Sequence, residues 1–149
     1  MPLLVVGDFD LSPYGKKLAQ DLPAGVRLLG SIYDTDRLMA LRAGARSYVH
    51  GHTVGGTNPS LLEAMAAGNA CICHDNDFNR NATDGQAAFF SNAESLATHL
   101  RWLEGDAPEL DLMRDAVLKR WSEQYRWEQI AEKYARIFNE LLSTSGSLS

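Results

Sequence analysis

The fold of this chain is decided by residues 47–68, which read SYVHGHTVGGTNPSLLEAMAAG. The first four residues are rich in β-formers and predict a short strand. The adjacent glycines that follow allow backbone conformations that a Cβ would forbid. Asn58 and Pro59 then suit the N-cap and first position of a helix, apolar residues repeat at helical spacing, and Gly68 suits its end. The stretch therefore predicts a strand, a glycine loop and a helix in succession.

This predicted loop suits a ligand rich in oxygen acceptors. A helix N-terminus offers unpaired N–H groups and a positive dipole end, and glycines let a phosphate approach them. Glu63 lies about one and a half turns into the helix at 3.6 residues per turn, where its carboxylate could accept hydrogen bonds from a ribose diol. The spacing matches neither the P-loop nor the GxGxxG fingerprint. The alternative interpretation is a tight turn at Gly55 and Gly56, with Glu63 as a solvated carboxylate.

On both sides of this stretch, short apolar strands alternate with amphipathic helices. Further strands are predicted at residues 3–6, 26–29, 70–73 and 87–90. Further helices are predicted at residues 12–22, 35–43, 92–104, 108–125 and 127–142. This alternation predicts an α/β fold, with a Rossmann-like parallel sheet, flanking helices and a helical C-terminal tail. Residues 74–83 are predicted to form a polar loop, and residues 143–149 a disordered tail.

Ligands of such sheets bind outside the carboxyl ends of the strands. We therefore expect the loops at residues 7–10, 30–33, 51–58 and 74–80 to converge on one crevice. Arg80 is the candidate cation there, because a guanidinium suits phosphate. For Asp75, Asp77 and Asn79, Asx turns and caps are favoured over acid–base work by paired carboxylates.

The composition indicates an ordinary globular protein. The chain has 149 residues, of which 45% are hydrophobic and 22% charged, and its net charge is −5. The basic residues are scattered, which disfavours a nucleic-acid partner. No signal peptide is evident, and no apolar run approaches the roughly 20 residues that span a bilayer. We therefore expect one domain, located in the cytoplasm, with no transmembrane segment.

The cysteines and histidines raise the possibilities of a disulfide and of a metal site. Cys71 and Cys73 lie two apart on a predicted strand, and we expect them on opposite faces as reduced, buried thiols. His50, His52 and His74 lie near the ends of neighbouring strands and could ligate zinc. We favour no metal, because no cysteine or carboxylate is obviously placed to complete a closed ligand set.

Residues 58–68, NPSLLEAMAAG, resemble the donor-site motif of the retaining glycosyltransferases of family 4. The fuller string at residues 52–60 resembles a rhamnosyltransferase-like branch. These enzymes have the two-domain GT-B fold, in which the C-terminal Rossmann-like domain binds the nucleotide-sugar. The family motif is a glutamate, seven residues and a second glutamate. The resemblance implies that Glu63, the second, binds the donor ribose. The first falls on Gly55, which implies that backbone N–H groups of residues 55–58 hold the diphosphate and sugar.

The resemblance also implies the other site residues and the partners. The implied donor-binding residues are Gly55, Gly56, Thr57, Asn58, Glu63, His52 and Arg80. Ser31 and Ile32 are also implied, as residues that line the nucleobase. No catalytic residue, cofactor or metal is assigned, because the nucleotide-sugar is itself the substrate. The donor could be deoxythymidine-diphosphate rhamnose, and the acceptor a bacterial surface glycan or lipid-linked glycan at the inner face of the membrane.

The family also has an N-terminal acceptor-binding domain and an upstream arginine and lysine that grip the diphosphate. Residues 1–142 would then be an incomplete nucleotide-sugar-binding domain, inactive alone. The alternative function is a non-catalytic module that binds a nucleotide, a sugar phosphate or a partner through its terminal helix. A nicotinamide-dependent oxidoreductase ranks last, because the early glycine fingerprint and the acidic residue about 20 positions later are missing.

Overall fold

The computed structural model describes residues 2–105 and 108–145, and every strand and helix predicted from the sequence is present in it. The strands are β1 (Leu3–Val5), β2 (Val26–Leu28), β3 (Ser47–His50), β4 (Ala70–His74) and β5 (Ala88–Phe90). The helices are α1 (Pro13–Gln20), α2 (Thr35–Ala43), α3 (Pro59–Ala66), α4 (Asp77–Thr83), α5 (Ala93–Trp102), α6 (Glu109–Gln124) and α7 (Trp127–Ser145). All strand pairs are parallel, so the predicted α/β class is confirmed.

The chain divides into two compact units, Met1–Gly44 and Ala45–Ser149. The hydrogen-bonded strands divide in the same way, into a β1–β2 sheet and a β3–β4–β5 sheet. In the first unit the Ser12 side chain caps α1 by accepting a hydrogen bond from the Gly15 N–H at 3.0 Å. A Cβ at Gly15 would clash with the backbone of Phe9, so this helix start requires glycine.

The second unit is built around β4, the central strand of its sheet. Residues 70–73 of β4 are fully buried because helices cover both faces, as expected for a parallel sheet. On one face, α3 supplies Leu61, Ala64 and Met65, and α6 supplies Val117. On the other face, Ala70 and Ile72 pack with Phe90, Leu103 and Leu110. The sheet is therefore the middle of three layers.

The expectation that Cys71 and Cys73 point to opposite faces was wrong. Both thiols lie in the cluster beneath α3, whereas Ile72 between them lies in the cluster on the other face. Successive side chains of a strand alternate, so residues two apart share a face. Both cysteines are free and buried, as predicted. Burial raises the pKa of Cys73 to about 12 and raises that of Cys71 as well, which keeps both thiols protonated.

The expectation of a polar loop at residues 74–83 was also wrong, because α4 occupies most of it. The Asn76 side chain caps this helix by accepting a hydrogen bond from the Asn79 N–H at 2.9 Å. At the other end, Asp84 adopts a left-handed conformation with φ 54°. Side chains that can form Asx turns also favour helix ends, and here the caps define a helix.

The C-terminal helix α7 reaches Ser145, so residues 143–145 of the expected disordered tail are helical. Residues 146–149 of that tail lie outside the described residues. An apolar stripe on α7 is exposed, including Tyr134, Ile137, Phe138 and Leu141. No helix in the described part of the chain combines the length and the apolar character needed to cross a membrane.

Candidate functional site

The loop between β3 and α3 lies open at the carboxyl end of its strand. Residues 51–57 are all exposed. Gly55 has φ +116°, in the region that favours glycine,. Beyond the adjacent residues of the chain, a Cβ built on Gly55 or Gly56 would meet no atom within 4 Å. The predicted glycine loop is thus confirmed, and it leaves space next to its own backbone.

The start of α3 is capped by Asn58, as predicted. The Asn58 side chain accepts a hydrogen bond from the Ser60 N–H at 3.0 Å. Its carbonyl accepts from the N–H groups of Leu61 and Leu62 at 3.1 and 3.2 Å, and Pro59 has no N–H to offer. The N–H groups of the first helical turn are therefore already used within the chain, contrary to the expectation that the helix end would present them to a ligand.

The loop itself offers the donors that the helix end does not. Among residues 2–105 and 108–145, none accepts a hydrogen bond from the N–H groups of Gly55, Gly56 or Thr57. Three successive residues with N–H groups facing water can satisfy an oxyanion or a sugar hydroxyl. Glu63 follows on the exposed side of α3, opposite the buried Leu61. Its assignment to a ribose stays a prediction.

The loop is tied to α4 through one carbonyl. The His52 carbonyl accepts hydrogen bonds from the side-chain amides of Asn76 and Asn79, both at 3.1 Å. The Asn79 amide also donates to the His74 carbonyl at 2.8 Å. Sequence analysis missed these contacts. The available signal was the Asn76-x-x-Asn79 spacing of a capped helix start, followed at helical spacing by Thr83 on the same buried face.

His50 and His52 form a stacked pair where β3 ends. Their ring centroids are 4.7 Å apart and the rings are inclined by 16°. His50 is 1% exposed. Burial, and then the charge of His52, lower the pKa of His50 to about 4, so this imidazole is neutral at neutral pH. His52 is exposed and lies in the loop.

The three histidines considered for zinc do not lie on one face of the sheet. His50 is paired with Cys73, on the face beneath α3, whereas His74 packs edge-on against Phe90 of the opposite face. Strand alternation separates the two imidazoles. Within the described ranges, no three histidine, cysteine or acidic side chains form a potential metal-ligand set.

Arg80, the candidate phosphate cation, is engaged within the protein. Its guanidinium donates to both Asp75 carboxylate oxygens, at 2.6 and 2.8 Å. It also lies over the Phe89 ring, 4.3 Å from the centroid. These hydrogen bonds lower the pKa of Asp75. The arginine therefore connects α4 to Asp75 and to Phe89 of β5, and its role toward phosphate stays a prediction.

Two of the four loops that were expected to converge on a crevice lie next to each other, and the crevice itself stays a prediction. Within the second unit, the residues following β3 and those following β4 meet through the His52 carbonyl. Ser31 is exposed and Ile32 half-buried in the first unit, just beyond Gly30, whose φ is +70°. Their expected contact with a nucleobase stays a prediction.

Residues 1–106 match the family described as Glycosyl transferases group 1. The chain belongs to this family. It is 31% identical over 153 residues to the phosphatidyl-myo-inositol mannosyltransferase of Mycolicibacterium smegmatis, covering 97% of this chain and 38% of that protein. The predicted membership of a glycosyltransferase family is thus confirmed.

Solved structures resemble this glycosyltransferase chain along most of its length. Anabaena Alr3699/HepE in complex with UDP gives a TM-score of 0.78 at 18% identity, covering 94% of this chain and 41% of that one. The same protein in complex with UDP-glucose gives a TM-score of 0.76 at 20% identity. This match covers 93% of this chain and 41% of that one. The fold is therefore that of GT-B glycosyltransferase structures. The chain spans 38–41% of the length of these relatives.

Proposed function

We propose that this chain is the nucleotide-sugar-binding part of a retaining glycosyltransferase. The observation that carries the proposal is the open glycine loop of a family member, with N–H groups at Gly55, Gly56 and Thr57 that make no hydrogen bond within the described chain. The UDP and UDP-glucose complexes of Alr3699/HepE support a nucleotide-sugar donor. The resemblance of residues 52–60 supports deoxythymidine-diphosphate rhamnose as a second candidate.

In this proposal the loop holds the diphosphate and sugar through the backbone N–H groups of residues 55–58. The Glu63 carboxylate accepts hydrogen bonds from the ribose diol, and Ser31 and Ile32 contact the base. Catalysis then consists mainly of positioning the donor and stabilising the leaving diphosphate. Loop N–H groups and the positive end of α3 supply that stabilisation, so the proposal needs no metal or cofactor.

The acceptor is the least constrained part of the proposal. The chain spans about two fifths of relatives that include a phosphatidyl-myo-inositol mannosyltransferase. We propose that an acceptor-binding domain completes the enzyme. The acceptor would be a surface glycan or lipid-linked glycan, reached from the cytoplasmic side of the membrane. The isolated chain would then bind donor without transferring sugar.

Titration followed by backbone NMR tests the donor site. We expect UDP, UDP-glucose and deoxythymidine-diphosphate rhamnose to differ in affinity, and the preferred one to shift the amide signals of residues 55–57. Glu63→Gln removes the carboxylate charge and should weaken binding about tenfold, the effect of losing one hydrogen bond to a charged group. Gly56→Ala adds a methyl group where the free protein has open space, so it should weaken binding without lowering Tm.

Gly105→Ala is the matched control, because its Cβ would make only an ordinary contact, 3.6 Å from the Trp102 carbonyl. It should leave binding unchanged. The proposal fails if none of the three probes shifts the loop signals of the wild-type chain. It also fails if Glu63→Gln and Gly56→Ala bind the preferred probe as tightly as the wild type does.

A further inference from the structure

We infer that Asn79 is a positioning residue that holds the glycine loop in its ligand-binding geometry through the His52 carbonyl. The inference rests on the proposed function, because it treats residues 55–57 as the donor site. Asn79 itself lies on α4, whose residues were expected to form only turns and caps. Its effect on the donor would be indirect, through the loop backbone.

One amide group joins the ends of two neighbouring strands. The Asn79 Nδ2 atom lies 3.1 Å from the His52 carbonyl oxygen and 2.8 Å from the His74 carbonyl oxygen. An amide nitrogen carries two N–H donors, so each carbonyl can receive one. His52 stands three residues before Gly55. The direction in which the chain leaves β3 is therefore fixed immediately before the open part of the loop.

The position of Asn79 is itself constrained from several sides. The residue is 4% exposed, so its hydrogen bonds are made where water competes poorly. Its N–H donates to the Asn76 side chain at 2.9 Å, and its carbonyl accepts from the Thr83 hydroxyl at 2.8 Å. The Asp75–Arg80 ion pair joins the same helix to the residue after β4. The loop is thus attached to a buried residue whose own N–H and carbonyl are both hydrogen-bonded.

The chemistry of this contact selects asparagine. An aspartate in the same shape has only acceptors when ionised, and it would face two carbonyl oxygens. A serine has one donor for two carbonyls, and a glutamine is one methylene too long for a packed site. Asn76 supplies a second hydrogen bond to the His52 carbonyl, so loss of the Asn79 donors should loosen the loop without releasing it completely.

The decisive variant is Asn79→Asp, with UDP-glucose and deoxythymidine-diphosphate rhamnose as probes. At about pH 8 we expect roughly tenfold weaker binding of the preferred probe, the effect of one or two lost hydrogen bonds, and faster hydrogen exchange at residues 53–57. Burial and the two carbonyls should raise the pKa of the new carboxyl group. Lowering the pH to about 5 would then protonate it, restore a donor and bring the affinity back toward wild type.

Each measurement is taken as a ratio to the wild type at the same pH, because His52 and His74 lie next to position 79 in both proteins and the ratio removes effects common to the two. Asn81→Asp is the matched control, since it adds the same charge to α4 at an exposed position. It should change neither the loop nor the affinity. Thermal unfolding of both variants separates a loosened loop from an unfolded chain.

The inference is overturned if folded Asn79→Asp leaves both loop exchange and affinity unchanged. It is also overturned if the loss is the same at about pH 5 as at about pH 8, because protonation of the new carboxyl group should restore a donor to the two carbonyls. If the wild type binds neither probe, the proposed function fails and the positioning role fails with it. The exchange data would then report only a structural contact between α4 and the loop.

Discussion

The carboxyl ends of β3 and β4 are neighbours in one sheet, yet they continue in opposite ways. After β3, residues 51–57 are exposed and the N–H groups of residues 55–57 lack acceptors in the described chain. After β4, a capped helix begins at Asp77 and buries Asn79 and Thr83. The first strand end is exposed to solvent, whereas the second is followed by a helix that is joined to it by the hydrogen bond from Asn79 to the His74 carbonyl.

The difference shows how an open loop can keep a defined geometry. Unsatisfied N–H groups are useful for recognition only if their positions are fixed before the ligand arrives. The loop has little packing of its own, so its geometry depends on the elements at its two ends. These are β3 with its tie to α4 on one side, and the Asn58 cap of α3 on the other.

The largest expected effect comes from removing buried core contacts at the start of α3, the helix that follows the loop. Leu61 lies in the first turn of α3 and is completely buried against the core that contains Met65 and Cys71. Leu61→Ala should lower the free energy of unfolding by about 2–5 kcal/mol, because it removes buried apolar surface and leaves a cavity. Urea denaturation of the two proteins measures the difference.

Val54→Ala is the corresponding change on the open side. Val54 is 81% exposed, so its truncation should alter the free energy of unfolding by less than about 0.5 kcal/mol. A cost similar to that of Leu61→Ala would mean that the loop is packed against something, and the contrast between the two strand ends would be lost.

The second effect is a pH dependence of the free energy of unfolding, caused by His50 at the end of β3. The pKa of His50 is lowered from its usual 6.5 to about 4, so the unfolded chain binds a proton that the folded chain excludes. The stabilisation is complete above about pH 6.5 and is lost as the pH falls toward 4, by on the order of 3 kcal/mol. Denaturation at pH 7 and at pH 4 gives the two free energies of unfolding.

His50→Phe isolates this contribution, because it keeps a ring next to His52 and removes the titrating nitrogen atoms. The variant should lose less free energy of unfolding between pH 7 and pH 4 than the wild type does. Equal losses in the two proteins would show that other groups cause the acid sensitivity and that His50 is accessible to water.

The two strand ends also differ in how far the sequence could predict them. The end of β3 was predictable from local rules, because Asn58-Pro59 is a helix start and Gly55-Gly56 breaks regular structure. The end of β4 was misjudged, because Asn, Asp and Thr are common in both turns and helix caps. Only the burial of Asn79 and Thr83 distinguishes a capped helix from a turn here, and burial depends on tertiary packing.

The site shows the same division between local and tertiary information. Glu63 and the glycines stand out as a motif. The contact of Arg80 with Phe89 depends on the β4–β5 pairing, which no local spacing reveals. The missing helix-end donors at α3 follow from Asn58 using both its side chain and its carbonyl. A cap that stabilises the helix start removes the donors that a ligand would use.

A smaller loss of stability than that of Leu61→Ala should come from that cap, and it sharpens the comparison by linking the start of α3 to the loop. Asn58→Ala removes the acceptor of the Ser60 N–H and should cost about 1 kcal/mol of the free energy of unfolding. Asn92→Ala removes the equivalent cap of α5, where the side chain accepts from the Ser95 N–H at 2.8 Å, and should cost about the same,. Only Asn58→Ala should also weaken nucleotide-sugar binding, because only that cap adjoins residues 55–57. If both variants bind UDP-glucose equally well, the cap stabilises the helix without positioning the loop, and the loop geometry depends on β3 and α4 alone.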